Sequence, residues 1–325
     1  MNTLPSWEVI DEVVRSRIQT WVSQQSADIL WQRHNIWWWN YISLPGGITA
    51  QQIYIMEAGW QKIVLKVWVS EDLPLAANTE ILINQHAPGL VPLTLQQGKW
   101  MTATGKPYYW LTQEFIPWIT LEEYQESHTL SDEHLQNMTH QLWRIHSVTR
   151  DGEQFFWKLL APWHKKFPDF ISHIERFEHF IAGSDYFEAW LRKRIIASIR
   201  TLKEKTEEIP KNPVLIHGDF HFRNVMIQDE QKSQIIDFWE ASWNIREADF
   251  GIMFSNRGWL EQLELYQKII TEYEKEFWTL NRDLIDLYYL CYWSYKQIKR
   301  AGRNTLSPGI WELILEQVLT RTEKQ

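Results

Sequence analysis

Three side chains set the chemistry to look for. Asp219 is followed five residues on by Asn224, and thirteen residues further by Asp237. The first pair lies in His217-Gly218-Asp219-Phe220-His221-Phe222-Arg223-Asn224. Phosphoryl transfer asks little else of a protein: a carboxylate that receives or orients the proton of an attacking hydroxyl, and oxygen ligands that hold Mg²⁺ against the phosphates. Asp219 would be the base, and Asn224 and Asp237 the metal ligands. Asp and Asn also end strands for purely local reasons, because their side chains bond nearby backbone. Either Asp alone would read that way. The joint spacing, with an apolar run before each Asp, favours the chemistry.

Those residues need rigid supports. Val214-Leu215-Ile216 leads into His217, Asn224-Val225-Met226-Ile227 follows the loop, and Gln234-Ile235-Ile236 leads into Asp237 across a polar turn. These are short apolar strands flanking turns. Helical spacing dominates the rest of the second part of the chain, over 132–146, 170–181, 187–207, 260–278, 282–299 and 308–322. The first part opens with an amphipathic helix over 7–23 and continues as strands over 36–44, 52–56, 63–69, 90–96 and 108–115, with a helix over 75–86. Lys66 stands inside the apolar run Ile63-Val64-Leu65-Lys66-Val67-Trp68-Val69. A lysine buried there needs an anionic partner; on the solvent face of an edge strand it would need none. Two lobes are therefore expected, 1–116 and 117–325, in an α+β arrangement with a small β-rich lobe and a larger, mainly helical one.

The block from His217 to Asn224, followed by Ile235-Ile236-Asp237-Phe238, resembles the signature of the aminoglycoside phosphotransferase and choline kinase-like family, relatives of protein kinases. Leu142-Trp143-Arg144-Ile145-His146 is similar to the family's helix that ends in Leu-His. The resemblance spans roughly 40–255. It implies a bilobal protein kinase-like fold, ATP and Mg²⁺ as cofactors, and a small-molecule hydroxyl as acceptor: an aminoglycoside, a choline-like amine, a sugar or an amino-acid alcohol. It implies that Lys66 meets the nucleotide phosphates and pairs with Glu80, that the backbone of Glu114 and Ile116 holds the adenine, and that Gly46 and Gly47 form the turn covering the nucleotide. His217 would back the loop through hydrogen bonds, although it could equally be a packed strand end. Asp249-Phe250-Gly251 spells the metal-binding triplet of protein kinases, but it follows polar Arg246-Glu247 rather than an apolar strand. The resemblance implies that an Asp at this position braces the catalytic loop, and Asp249 is assigned that role.

Trp239, Glu240, Trp243, Glu247, Trp259, Tyr292 and Trp293 could line an acceptor pocket, since carboxylates beside aromatic faces suit a cationic amine. The same residues could be ordinary core aromatics and solvated glutamates in a chain with 21 Trp. A net charge of −8 argues against nucleic acid as a general partner. The single Cys291, the charged N-terminal stretch and the lack of a long apolar run point to a cytoplasmic, soluble chain without a membrane span. Nothing calls for an obligate protein partner. The competing class is a catalytically silent kinase-like scaffold, against which stands the complete set Lys66, Asp219, Asn224 and Asp237.

Overall fold

The computed structural model describes residues 29–33, 52–58, 61–68, 72–101, 105, 107–149, 155–156, 166–206, 212–229, 232–255, 263–301 and 310–324. The expected helix over 7–23, the strand over 36–44, the Pro45-Gly46-Gly47 turn and Trp259 lie outside the described residues. The chain forms two compact units, Met1–Asn78 with Pro92–Ile116, and Thr79–Val91 with Pro117–Gln325.

The first unit holds a five-stranded antiparallel sheet of β1 (Ile29–Arg33), β2 (Gln52–Ala58), β3 (Gln61–Trp68), β4 (Thr94–Met101) and β5 (Pro107–Glu114), in the order β1-β2-β3-β5-β4. β3 is rich in β-branched residues, and its alternation is visible in burial: Leu65 and Val67 are buried, while Val64 and Lys66 are half-buried. β3 is paired on both sides, with Lys66 opposite Ile53 and Leu111. Lys66 therefore does not stand on an edge strand. β4 begins later than the expected 90–96. Pro92 has no N–H for a ladder, and Leu90 and Val91 are instead buried in the core of the second unit. Within β4, Gly98 lies under the indole of Trp110, where a Cβ would come within 2.7 Å of the ring.

Helix α1 (Asp72–His86) runs from one unit into the other, so residues 79–91 depart from a boundary drawn at 116 alone. Ile83, Ala87, Leu90 and Val91 join Leu135, Leu142 and Phe220 in one apolar cluster. The second unit continues through β6 (Ile119–Thr120), α2 (Leu121–Gln125), α3 (Asp132–His146), β7 (Phe155–Phe156), β8 (Lys166–Phe167), α4 (Phe170–Ala182) and α5 (Ala189–Lys205). The site region follows: β9 (Val214–Ile216), β10 (Val225–Asp229), β11 (Lys232–Ile235) and β12 (Ser242–Asn244). Then come α6 (Glu247–Phe254), α7 (Leu263–Glu276), α8 (Arg282–Ala301) and α9 (Ile310–Glu323). α3 shows why its sequence is helical. Ser131 caps its N-terminus in a capping box with His134, and Leu135, Met138, Leu142 and Ile145 form its buried stripe. A second apolar cluster gathers α4, α5, α8 and α9 around Leu287, Tyr288 and Cys291. Burial pushes the Cys291 thiol well above its usual range, so it behaves as a packing residue. No helix among the described residues is long and apolar enough to cross a membrane.

His173 sits in the apolar stripe of α4, fully buried, with its ring edge-on to Phe167 and Phe177. Burial and the nearby Arg176 lower its pKa to about 3. The unfolded chain takes up this proton near the usual value of about 6.5. Between those values the unfolded state binds more protons, so stability falls as pH drops from about 6.5 to about 3. One such group accounts for at most about 1.4 kcal/mol per pH unit. Urea unfolding midpoints measured across this window are expected to fall with pH in the wild type, and less steeply in His173→Leu. Equal slopes in the two proteins would contradict this account.

Candidate active site

The loop after β9 is fixed by backbone needs before any side chain acts. β9 is fully buried, pairs with β12, and donates the Leu215 N–H to the Val148 carbonyl at 2.9 Å. The chain then turns at Gly218, with φ +80°. A Cβ at Gly218 would collide with the Glu240 carbonyl. Conformation and space both require glycine there. The two amides at this turn are captured by one buried carboxylate: Asp249 Oδ2 accepts the His217 N–H at 2.8 Å and Oδ1 accepts the Gly218 N–H at 2.7 Å. Its Oδ2 also lies 3.1 Å from His146 Nε2, and His146 Nδ1 lies 2.8 Å from the Tyr273 hydroxyl. All three members of this chain are buried.

His217 has its tautomer decided by backbone partners. Its Nε2 lies 2.9 Å from the Ile236 carbonyl, which can only accept, and its Nδ1 receives the Asp219 N–H at 3.2 Å. Nε2 therefore carries the proton and Nδ1 the lone pair. The ring is neutral, and burial lowers its pKa against the pull of Asp249. One imidazole thus ties the Asp219 loop to the residue before Asp237. Asn224 makes a second tie: its Nδ2–H donates to the Asp219 carbonyl at 2.9 Å, and its own carbonyl accepts the Ile236 N–H at 2.9 Å. With the amide nitrogen committed, the side-chain oxygen of Asn224 is the atom a cation could use. Asp237 has φ 66° and ψ 58°, the left-handed region. Among the described residues it is the non-glycine with positive φ. Such strain persists where surrounding contacts over-determine it, and it clusters at functional sites.

Asp219 itself is 30% exposed along its side chain. Its Oδ2 lies 3.4 Å from His221 Nε2 and its Oδ1 lies 3.7 Å from Lys296 Nζ. Burial raises its pKa, but His221 and Lys296 outweigh that, and the carboxyl is held well below the usual carboxylate range. It is ionised at neutral pH. Such a group takes up a proton weakly and accepts a hydrogen bond strongly.

Of the remaining expected site residues, Glu80 on α1 is buried in the second unit. In the first unit, Glu114 ends β5 and its N–H already donates to the Leu93 carbonyl at 2.9 Å, so an adenine would have to meet Glu114 through its carbonyl. Ile116 is half-buried. Gly46 and Gly47 lie outside the described residues. Glu240 is half-buried beside Gly218. Trp243 needs correction. At 2% exposure it fills the core opposite Leu215 and has no face for an acceptor. Tyr292 and Trp293 are likewise core residues. Glu247 is buried rather than solvated, and burial raises its pKa. Arg223 pairs with Glu122 of α2 at 2.5 Å. The Asp249-Phe250-Gly251 triplet is wholly structural: Asp249 holds the loop, Phe250 is core, and Gly251 lets α6 approach α8, where a Cβ would come within 2.9 Å of Ile285 and Tyr289 backbone. Two partners were not expected from sequence. Lys296 carried no signal beyond a lysine on a helix, and Tyr273 none beyond an aromatic on a helix.

Among the described residues, no three His, Cys, Asp or Glu side chains cluster as a metal site. Mg²⁺ needs no such cage, since it keeps waters and takes one or two protein oxygens plus substrate phosphates. The hard oxygens of Asn224 and Asp237 fit that requirement.

The phosphotransferase enzyme family model matches residues 41–280, and the chain belongs to that family. Its fold is protein kinase-like and α+β. The structure is similar to aminoglycoside phosphotransferase APH(4)-Ia, with a TM-score of 0.69 at 13% identity, covering 95% of this chain and 99% of that one. A thermostable mutant of APH(4)-Ia in ternary complex with AMP-PNP and hygromycin B gives a TM-score of 0.65 at 14% identity, covering 87% and 95%. Choline kinase LicA from Streptococcus pneumoniae gives 0.57 at 12% identity, covering 97% and 99%. No curated protein sequence matches the chain.

The brace makes a direct test. In Asp249→Asn one carboxylate oxygen becomes an NH₂ that must face a donor, leaving a buried amide unsatisfied. Stability should fall by about 3 kcal/mol, read as a shift of the urea midpoint. An unchanged midpoint would show that Asp249 does not hold the loop.

Proposed function

We propose that this phosphotransferase moves the γ-phosphate of ATP, with Mg²⁺, to a hydroxyl of a small molecule. The observation that carries the reading is the ionised Asp219 carboxylate on a loop whose backbone is tied through His217 and Asn224 to the segment bearing Asp237. Asp219 would accept the hydrogen bond of the incoming hydroxyl and orient its oxygen toward the phosphorus. In a loose transition state the nucleophile keeps its proton until late, so a strong hydrogen-bond acceptor suffices and a high carboxyl pKa is not required. Asn224 through its side-chain oxygen and Asp237 through its carboxylate would hold the metal. Bound Mg²⁺ supplies charge neutralisation at the phosphate oxygens.

Lys66 and Glu80 are the residues we assign to nucleotide binding, Lys66 to the phosphates. The Glu114 carbonyl and the Ile116 backbone are assigned to the adenine, and Gly46 and Gly47 to the covering turn. His217 and Asp249 support the loop and touch no substrate. The relatives solved with AMP-PNP and hygromycin B support a nucleotide donor and a small-molecule acceptor. Their range, from an aminoglycoside enzyme to a choline kinase, leaves the acceptor to a panel of amino sugars, choline-like amines, sugars and amino acids. Glu240 is the half-buried carboxylate we retain as a contact for it.

Mg-ATP should raise the melting temperature of the wild type by linkage, and Asp237→Asn should remove the Mg²⁺-dependent part of that shift. On an accepted substrate, Asp219→Asn should lower kcat by about 10²–10⁴-fold while keeping nucleotide binding. A wild type that neither melts higher with Mg-ATP nor transfers phosphate to any panel member would refute the proposal. Nucleotide binding without turnover would favour a catalytically silent scaffold.

A further inference from the structure

α8 brings a residue to the loop that the reading above does not use. Lys296 is 17% exposed along its side chain, and its Nζ lies 3.7 Å from Asp219 Oδ1. Its ammonium also sits 4.6 Å from the ring centroid of Tyr292, one helical turn earlier. Tyr292 is buried in the second core cluster, so the platform under the lysine is fixed. A surface lysine normally keeps its rotamer freedom and extends into water. This one is confined between an aromatic face and a carboxylate. The neighbouring lysine on the same helix, Lys299, faces Phe180 and Tyr295 instead.

The two oxygens of Asp219 are thus divided between different elements. Oδ2 faces His221 of the loop itself, and Oδ1 faces Lys296 of α8. His221 belongs to the loop itself, whereas Lys296 is carried by a separate helix packed against α4, α5 and α6. We propose that Lys296 is a positioning residue for phosphoryl transfer, its ammonium fixing the orientation of the Asp219 carboxylate from α8 so that one oxygen meets the acceptor hydroxyl. At 3.7 Å the contact is electrostatic rather than a hydrogen bond. It therefore depends on the charge and its place more than on donor geometry, and an arginine can substitute in part. The inference rests on the reading of Asp219 as the carboxylate that orients the acceptor.

Two measurements on the full chain separate the possibilities. With an accepted substrate, Lys296→Met should lower kcat about tenfold while the KM for ATP stays within about twofold, and Lys296→Arg should recover most of the loss. In the Asp219→Asn background the same Lys296→Met change should cost less than about twofold, because the two residues act as a unit. Full activity in Lys296→Met, or an equal loss in both backgrounds, would overturn the proposal. The second measurement needs no substrate. Acylation of lysines, mapped by peptide mass spectrometry, should label Lys296 several-fold faster in Asp219→Asn than in wild type, with Lys299 unchanged. If Lys296 labels at the same rate in both, the contact is absent and the inference fails, whether or not phosphate transfer is found. If the labelling changes but no panel member is phosphorylated, the contact stands, the assigned reaction falls, and the positioning role falls with it.

Discussion

A single buried carboxylate sets the geometry on which the site depends. Asp249 is fully buried, a costly place for a charge unless its lone pairs are used. Two of them are taken by consecutive amides, those of His217 and Gly218. Consecutive N–H groups converge on one acceptor only where the backbone turns sharply, and the left-handed Gly218 provides that turn. The third partner, His146, carries the restraint outward to Tyr273 on α7. Burial pushes the Tyr273 hydroxyl well above its usual pKa, so it remains a donor. Helices α3, α6 and α7 are thereby tied to the loop through hydrogen bonds, in addition to their apolar contacts. Removing the carboxylate would strand two buried amides, and the penalty for unmade bonds exceeds the gain from made ones.

Three aspartates within one small region stand in different surroundings. Asp249 is fully buried and accepts from three internal donors. Asp219 is partly exposed and flanked by His221 and Lys296 at 3.4 and 3.7 Å, which holds its pKa down while leaving it reachable. Asp237 is set apart by its backbone rather than by charge, held left-handed just after the buried end of β11. Glu247 shows the contrasting outcome. It begins α6 two residues before Asp249, yet burial without comparable donors raises its pKa.

Much of this was legible in the sequence, and what was not had a physical reason. Helix α3 carries its own cap and stripe, and its bounds follow from them. The strand–turn–strand pattern around Asn224 likewise reports on itself, because each strand is short and β9 and the start of β10 are apolar where they meet the loop. β4 was misplaced because Leu90 and Val91 look like strand residues, whereas their apolar surface is spent on the second unit's core. Trp243 was misread for a related reason. An aromatic near a motif is attractive as a ligand face, but β12 must cover β9, and the same indole meets that need. Lys296 could not be read at all, since nothing in its local sequence reports that α8 passes beside Asp219. Contacts between distant segments carry no local period.

The places where local rules fail are also where the site is most constrained. Gly218 gives up side-chain packing at the end of a buried strand, and Asp237 occupies a region that non-glycine residues avoid. Each departure is matched by bonds that hold it: the Asp249 carboxylate for the first, and the bonds from the adjacent Ile236 to His217 and Asn224 for the second. His217 and Asn224 each bond both flanks, so neither turn can relax without breaking contacts to the other. The oxygens of Asp219, Asn224 and Asp237 are then set by backbone that has little freedom left. A site made this way is organised before anything binds, and a reaction that depends on positioning and charge rather than covalent chemistry gains most from such organisation.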